Sequence, residues 1–187
     1  MGGLKVSDTG RLTLEEIGSR ARTVSRILNN LGSREKNIGL EEAARALLEN
    51  EDEILAANGE DYERAQANGM SQGLLDRLQL TPARIHAMAD GLLNVASLDD
   101  PVGEVISMKL RPNGLQIGQK RVPLGVIGMI YEARPNVTAD AFGLCFKSGN
   151  AVILKGGSDA IRTNCAIAAS LRTGLSRAGL PEDALQL

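Results

Sequence analysis

Two short clusters hold the groups in this chain best suited to chemistry: Glu132, Arg134 and Asn136 after one apolar run, and Lys155, Gly156, Gly157 and Ser158 after another. A side-chain amide donates hydrogen bonds without giving up a proton, so Asn136 suits a developing oxyanion. Asn136 also stands just before a helical pattern, residues 137–146, where an asparagine caps the first amides. Both roles stand open from spacing alone. Arg134 can hold a phosphate or carboxylate through two parallel hydrogen bonds, or pair with Glu132. Lys155 brings an ammonium to the end of a strand, and Gly156-Gly157 lets backbone approach a ligand closely. The spacing is not G-x-G-x-x-G, so on its own it is a weak nucleotide signal.

Other reactive residues read as structural. Cys145 and Cys165 have neither metal-ligand spacing nor a disulfide framework, and both fall in apolar helical patterns, where free cysteine is usually buried. No metal site is expected. His86 lies beside the stripe Ile85, Met88, Leu92 and Val95, which predicts a rim or solvated histidine rather than a general base.

The elements that must position the two clusters follow a strand, turn, helix, strand, turn, helix order. Residues 122–131 are apolar and β-branched without polar alternation, which predicts a parallel strand buried on both faces. Residues 151–154 predict the next strand. Ser158 opens a long helix over residues 159–178, with Ile161, Cys165, Ala168 and Leu175 as its stripe and Gly179-Leu180-Pro181 as its end. Residues 184–187 read as the start of a third parallel strand. In such open sheets ligands bind at the carboxyl ends of the strands, where both clusters fall. The expected class is α/β, with residues 122–187 beginning a nucleotide-binding sheet.

Before the sheet, residues 1–100 read as amphipathic helices. Thr13 and Glu16 make a capping box ahead of Leu14, Ile17, Ala21, Val24, Leu28 and Leu31. Ser33 is placed to cap the next helix, Asn50 with Glu53 suggests a third start, and Thr81-Pro82 a later one. Charged residues between the stripes read as solvated faces. Residues 101–121 read as a β-hairpin whose Asn113-Gly114 turn puts both residues at positive φ.

Composition excludes other classes. Net charge is −2 and the pI near 5.5, with basic residues dispersed among acidic ones, so nucleic acid is not a partner. The aromatics Tyr62, Tyr131, Phe142 and Phe146 are too few for a base-stacking platform. The opening stretch lacks an apolar signal core, and no run approaches the roughly twenty apolar residues that span a bilayer. A cytoplasmic location, without membrane partners, is expected.

Four segments carry a family resemblance: SREKN at residues 33–37, LDRLQLTPARI ending at Ile85, PLGVIGMIYEARPNVTAD at residues 123–140, and KSGNAVILKGGSDA at residues 147–160. On these the chain resembles the gamma-glutamyl phosphate reductases, also called glutamate-5-semialdehyde dehydrogenases, of the aldehyde dehydrogenase superfamily. The resemblance implies a Rossmann-type cofactor domain and NADPH-dependent reduction of L-glutamyl 5-phosphate to L-glutamate 5-semialdehyde and phosphate in proline biosynthesis, through a cysteine thioester. It assigns Asn136 as oxyanion donor and Lys155, Gly156, Gly157 and Ser158 to the cofactor. Ser158 stands where NAD-preferring relatives carry a glutamate, which favours NADP(H). Arg134 and Glu132 become substrate-side candidates. The hairpin is expected to pair subunits of a homo-oligomer, with a surface ribbon lying on its own domain as the alternative. Association with glutamate 5-kinase follows from the shared pathway. The family's proteins are roughly twice this long, so the chain is expected to be the amino-terminal half, without the nucleophilic cysteine and inactive by itself. The alternatives are a non-catalytic NADP(H)-binding dimerisation module, a helical interaction domain, or another acyl-reducing member of the superfamily.

Overall fold

The computed structural model describes residues 12–132 and 134–187. The absence of a signal core in the opening stretch concerns residues 1–11, outside the described residues. Helices α1 (Leu14–Leu28), α2 (Ser33–Glu49), α3 (Glu51–Ala67), α4 (Gln72–Leu78) and α5 (Pro82–Ser97) precede a hairpin of β1 (Val105–Leu110) and β2 (Gln116–Lys120). A βαβαβ unit follows: β3 (Val126–Ile130), α6 (Asn136–Lys147), β4 (Ala151–Lys155), α7 (Ile161–Arg177) and β5 (Leu185–Gln186). No described helix is long and apolar enough to cross a membrane.

Parallel strands β3, β4 and β5 lie in that order, with Val126 opposite Ala151 and Ile130 opposite Lys155. Ala151, Val152 and Leu154 are buried, so central β4 is covered on both faces, by α1 and by α6. Beyond α6 and α7 pack α2, α3 and α5. Leu28, Leu40, Leu47, Ile85, Leu92, Phe142, Phe146, Ile167 and Leu171 join one continuous core.

The run over residues 122–131 is not a strand buried on both faces. The strand starts only at Val126, and Ile130 is 81% exposed while Ile127 and Met129 face inward. Pro123 has no amide to give a ladder and packs beside Gly149, while Gly125 turns the chain with φ 107°. β3 is also one edge of the described sheet, and its alternating exposure shows that one of its faces lies open.

Polar residues depart most from expectation. Lys36 and Asp61, charged residues expected on solvated faces, are at most 1% exposed, and the polar Asn58 is only 3% exposed. Lys36 Nζ donates to both Asp100 oxygens, at 3.0 and 2.8 Å, and Ser33 Oγ donates to Asp100 as well. Ser33 therefore does not cap α2; Gly32 holds the cap position, and Glu35 reaches back to its amide at 2.8 Å. Lys147, also buried, donates to Asn37 Oδ1 and to the carbonyl of Ala96. These bonds satisfy charges that would otherwise be costly to bury.

The hairpin forms as expected, with a different turn. Only Gly114 has positive φ, at 86°. Pro112 presets a type I turn closed by the Gly114 amide on the Arg111 carbonyl, and the Arg111 amide bonds Leu115. Val105, Ile106, Met108, Leu110 and Ile117 are all exposed, so the hairpin projects rather than lying on its own domain.

Gly174 of α7 meets the backbone of Glu42 and Ala43 where the two helices cross, leaving no room for a Cβ. Gly174→Ala is expected to destabilise the chain by about 1–3 kcal/mol, read from the urea midpoint. Burial pushes the Asp100 carboxyl up, but bonds from Lys36, the Val102 amide and Ser33 outweigh it and hold it below its usual value. Its stabilisation is thus present above the unfolded value of about 3.9 and lost as pH falls through the lower folded value. The stability gap between wild type and Asp100→Asn is expected to narrow as urea melts are repeated from neutral pH to below about pH 3.

Candidate functional site

The register of β3 on β4 delivers both clusters to one edge of the sheet. The Tyr131 amide donates to the Lys155 carbonyl at 3.1 Å, so the two following loops leave side by side. After β3 the chain turns tightly: the Arg134 amide bonds the Glu132 carbonyl, and Val137 and Thr138 bond Arg134 and Pro135. Pro135 holds the cap position and Asn136 is the first residue of α6. The Asn136 amide donates to Asp140 Oδ2, one turn on, at 3.1 Å rather than capping the helix amides. One of its two N–H groups is thereby used, and the amide group is oriented. Burial raises the Asp140 carboxyl above its ordinary value, opposed by that bond from Asn136.

Asn136, Arg134 and Asp140 line a cleft of ≈ 420 Å³. Its far wall comes from the corner between α4 and α5, through Arg77, Arg84 and Met88. Sequence reasoning had not assigned the two arginines there, because residues fifty positions earlier reach the site only through the packing of α5 on α6. Glu132 is exposed and is not among the residues lining this cleft.

Lys155, Gly156 and Ser158 line a second cleft of ≈ 320 Å³, walled by Leu154, Ile161 and Leu187. Gly157 is extended, with φ −65° and ψ 150°, and Ser158 starts a 3₁₀ turn, Ser158–Ala160. The long helix expected from residue 159 therefore begins only at Ile161. Its buried face runs through Thr163, Asn164, Ile167, Ala168, Leu171, Gly174 and Leu175, leaving Ile161 exposed. Cys165 is exposed too, against expectation, because the polar pair Thr163-Asn164 takes the inward positions in the first turn. Cys145 is buried, and burial pushes its thiol up, away from the reactive thiolate. His86 sits on the rim against Glu51, as expected.

Helix α3 braces the second loop from behind. Asp61 accepts from the Thr163 amide and hydroxyl, both at 2.8 Å, and from Arg64, whose guanidinium also reaches the carbonyls of Ser158 and Asp159. Between the clefts runs a buried chain: Tyr131 Oη and Thr138 Oγ1 are 2.6 Å apart, and Thr138 donates to Asn164 Oδ1 at 3.1 Å. Burial raises the Tyr131 phenol, so it stays a neutral hydrogen-bonding group. Asn164 Nδ2 is fully enclosed without a partner among the described residues, and it presses on Gly156. Where a side chain would begin at Gly156, Asn164 and Tyr131 already sit, so internal packing by itself demands glycine there. Among the described residues no cluster of histidine, cysteine and acidic groups is placed to hold a metal.

No family model matches the chain. Over 175 residues it is 57% identical to a gamma-glutamyl phosphate reductase of Lachnospira eligens, covering 94% of this chain and 42% of that protein. The crystal structure of the gamma-glutamyl phosphate reductase of Thermotoga maritima superposes with a TM-score of 0.89 at 43% identity, over 92% of this chain and 42% of that one. An NAD-dependent benzaldehyde dehydrogenase of Corynebacterium glutamicum gives 0.68 at 19% identity, over 94% and 36%, which shows a shared fold. The chain thus spans about two-fifths of the length of the curated relatives it matches. The resemblance read in its four segments holds: the chain is homologous to gamma-glutamyl phosphate reductases across nearly all of its own length and has an aldehyde-dehydrogenase-like α/β fold.

Gly156→Ala should lower stability by about 1–3 kcal/mol through collision with Asn164 and Tyr131. Adding Asn164→Ala should restore part of that loss in a double-mutant cycle on thermal melts; strictly additive losses would contradict the contact.

Proposed function

We propose that this chain forms the cofactor-holding part of a gamma-glutamyl phosphate reductase, whose reaction is the NADPH-dependent reduction of L-glutamyl 5-phosphate to L-glutamate 5-semialdehyde and phosphate in proline biosynthesis. The observation that carries this reading is the pair of adjacent clefts at the carboxyl ends of β3 and β4, one holding an amide donor among arginines and the other a lysine beside a glycine turn. In this division residues 1–100 are the helical part of the cofactor domain, 101–121 the oligomerising hairpin and 122–187 the start of the nucleotide-binding sheet.

Asn136 serves as oxyanion donor. Asp140 accepts a hydrogen bond from one amide N–H and leaves the other N–H for the carbonyl oxygen of the substrate, where a fixed donor stabilises charge without moving a proton. Arg134 stands beside it for an anionic group of the substrate, with Glu132 on the same loop. The lysine, backbone and hydroxyl donors of the second cleft fit a phosphorylated ribose: Lys155 is the cation, Gly156 the close backbone with Gly157 next to it on the loop, and Ser158 a small neutral group that admits a 2′-phosphate. The nicotinamide cofactor supplies hydride when bound. A cysteine nucleophile is expected from the part of the reductases this chain does not span, since neither Cys145 nor Cys165 is among the residues lining the two clefts. The projecting hairpin, with apolar side chains exposed along both strands, is the surface for subunit pairing in a cytoplasmic homo-oligomer.

Thermal melts of the purified chain with NADPH and with NADH test the reading. A ligand held only by the folded state at a hundred times its Kd adds about 2.7 kcal/mol. The expected outcome is a rise with NADPH, a smaller one with NADH, and loss of the NADPH effect in Lys155→Ala. Equal or absent shifts for both nucleotides would count against it.

A further inference from the structure

The first cleft contains more positive charge than an oxyanion alone needs, and its arginines are not equivalent. Arg84 is committed: Nη1 donates to the carbonyls of Asp76 and Gln79, both at 2.5 Å, and Nη2 lies 3.5 Å from the Asp76 carboxylate. It ties the end of α4 to the start of α5 and thereby fixes that wall of the cleft. Arg77, one residue after Asp76, and Arg134, on the opposite wall, form no ion pair with another described residue. Two uncommitted guanidinium groups therefore face one space with Asn136 between the walls and the amino end of α6 beside them. Exposed arginines more often point to bulk water. Here they share a concave surface whose volume suits a ligand of amino-acid size and whose two acids are both engaged, Asp76 by Arg84 and Asp140 by the Asn136 amide.

Resting on the reductase reading above, we infer that Arg77 and Arg134 together seat an anionic end of the substrate, carboxylate or phosphate, and that Arg84 is the positioning residue that holds Arg77's wall in place. A planar guanidinium matches the paired oxygens of either group. Clamping that end from both walls fixes the reacting carbonyl beside Asn136, so Arg77 acts as a specificity residue that favours acyl substrates with a distal anion over neutral aldehydes of similar size.

Calorimetric titration of the full chain with glutarate, L-glutamate and inorganic phosphate tests this, with circular dichroism melts on every variant. Arg77→Gln and Arg134→Gln are each expected to weaken anion binding about tenfold or more while the melt stays put. Arg84→Gln should weaken binding and also lower the melt, whereas Lys109→Gln, on the hairpin and outside both clefts, should leave anion binding unchanged. Binding by glutarate and L-glutamate without phosphate assigns the seat to a carboxylate; phosphate binding that competes with them and is weakened by Arg77→Gln assigns it to the phosphate end. Unchanged anion binding in Arg77→Gln, or no binding of any of the three to the wild-type chain, overturns the inference. An NADPH shift that persists alongside that result leaves the reductase reading standing; anion binding sensitive to Arg77 with no NADPH shift would reject that reading and retain the anion seat.

Discussion

Parallel pairing of β3 with β4 is the constraint on which the rest depends. It sets Ile130 opposite Lys155 and hands the Tyr131 amide to the Lys155 carbonyl, so two loops separated by a helix emerge as neighbours. A shift of one residue would turn Ile127 and Met129 to solvent and Ile130 into the core, an exchange the packed face does not permit. Position at the sheet edge is thus inherited from register, and the side chains on the loops need only be oriented locally, as Asp140 does for Asn136.

Around this edge the fold relies on buried polar contacts as much as on apolar ones. Asp61 fastens the start of α7, and the Tyr131–Thr138–Asn164 chain fastens α6 to α7 behind both clefts. Such bonds add little net stability each, but leaving one broken in the interior is costly, which narrows the arrangements available to the loops. On the far side Lys36, Asp100 and Ser33 do the same for the root of the hairpin.

Much of this was legible in the sequence. Apolar periodicity located the helices, Thr13 and Thr81 marked two starts through their own hydroxyls, and the second and third parallel strands fell where short apolar runs predicted them. Periodicity failed where polar residues take core positions. Thr163 and Asn164 shifted the face of α7 and turned Cys165 outward, and Lys36 and Asp61 were hidden by their charge because Asp100 and Thr163, which hold them in the interior, lie more than sixty residues away. The site divided in the same way. Loop residues that follow strands were found from their place in the chain, whereas Arg77 and Arg84 reach the cleft through tertiary packing that no local pattern encodes.

Helix α1 packs on β3, β4 and β5 and on the turn Glu182–Ala184, more than a hundred residues further along the chain. On a ribosome, its buried face of Ala21, Val24 and Leu28 emerges on the order of ten seconds or more before the strands that cover it exist. Helix α1 is therefore made well before its docking surface and is among the last of the described helices able to dock, and for that interval the nascent chain carries an open apolar stripe of the kind that chaperones recognise.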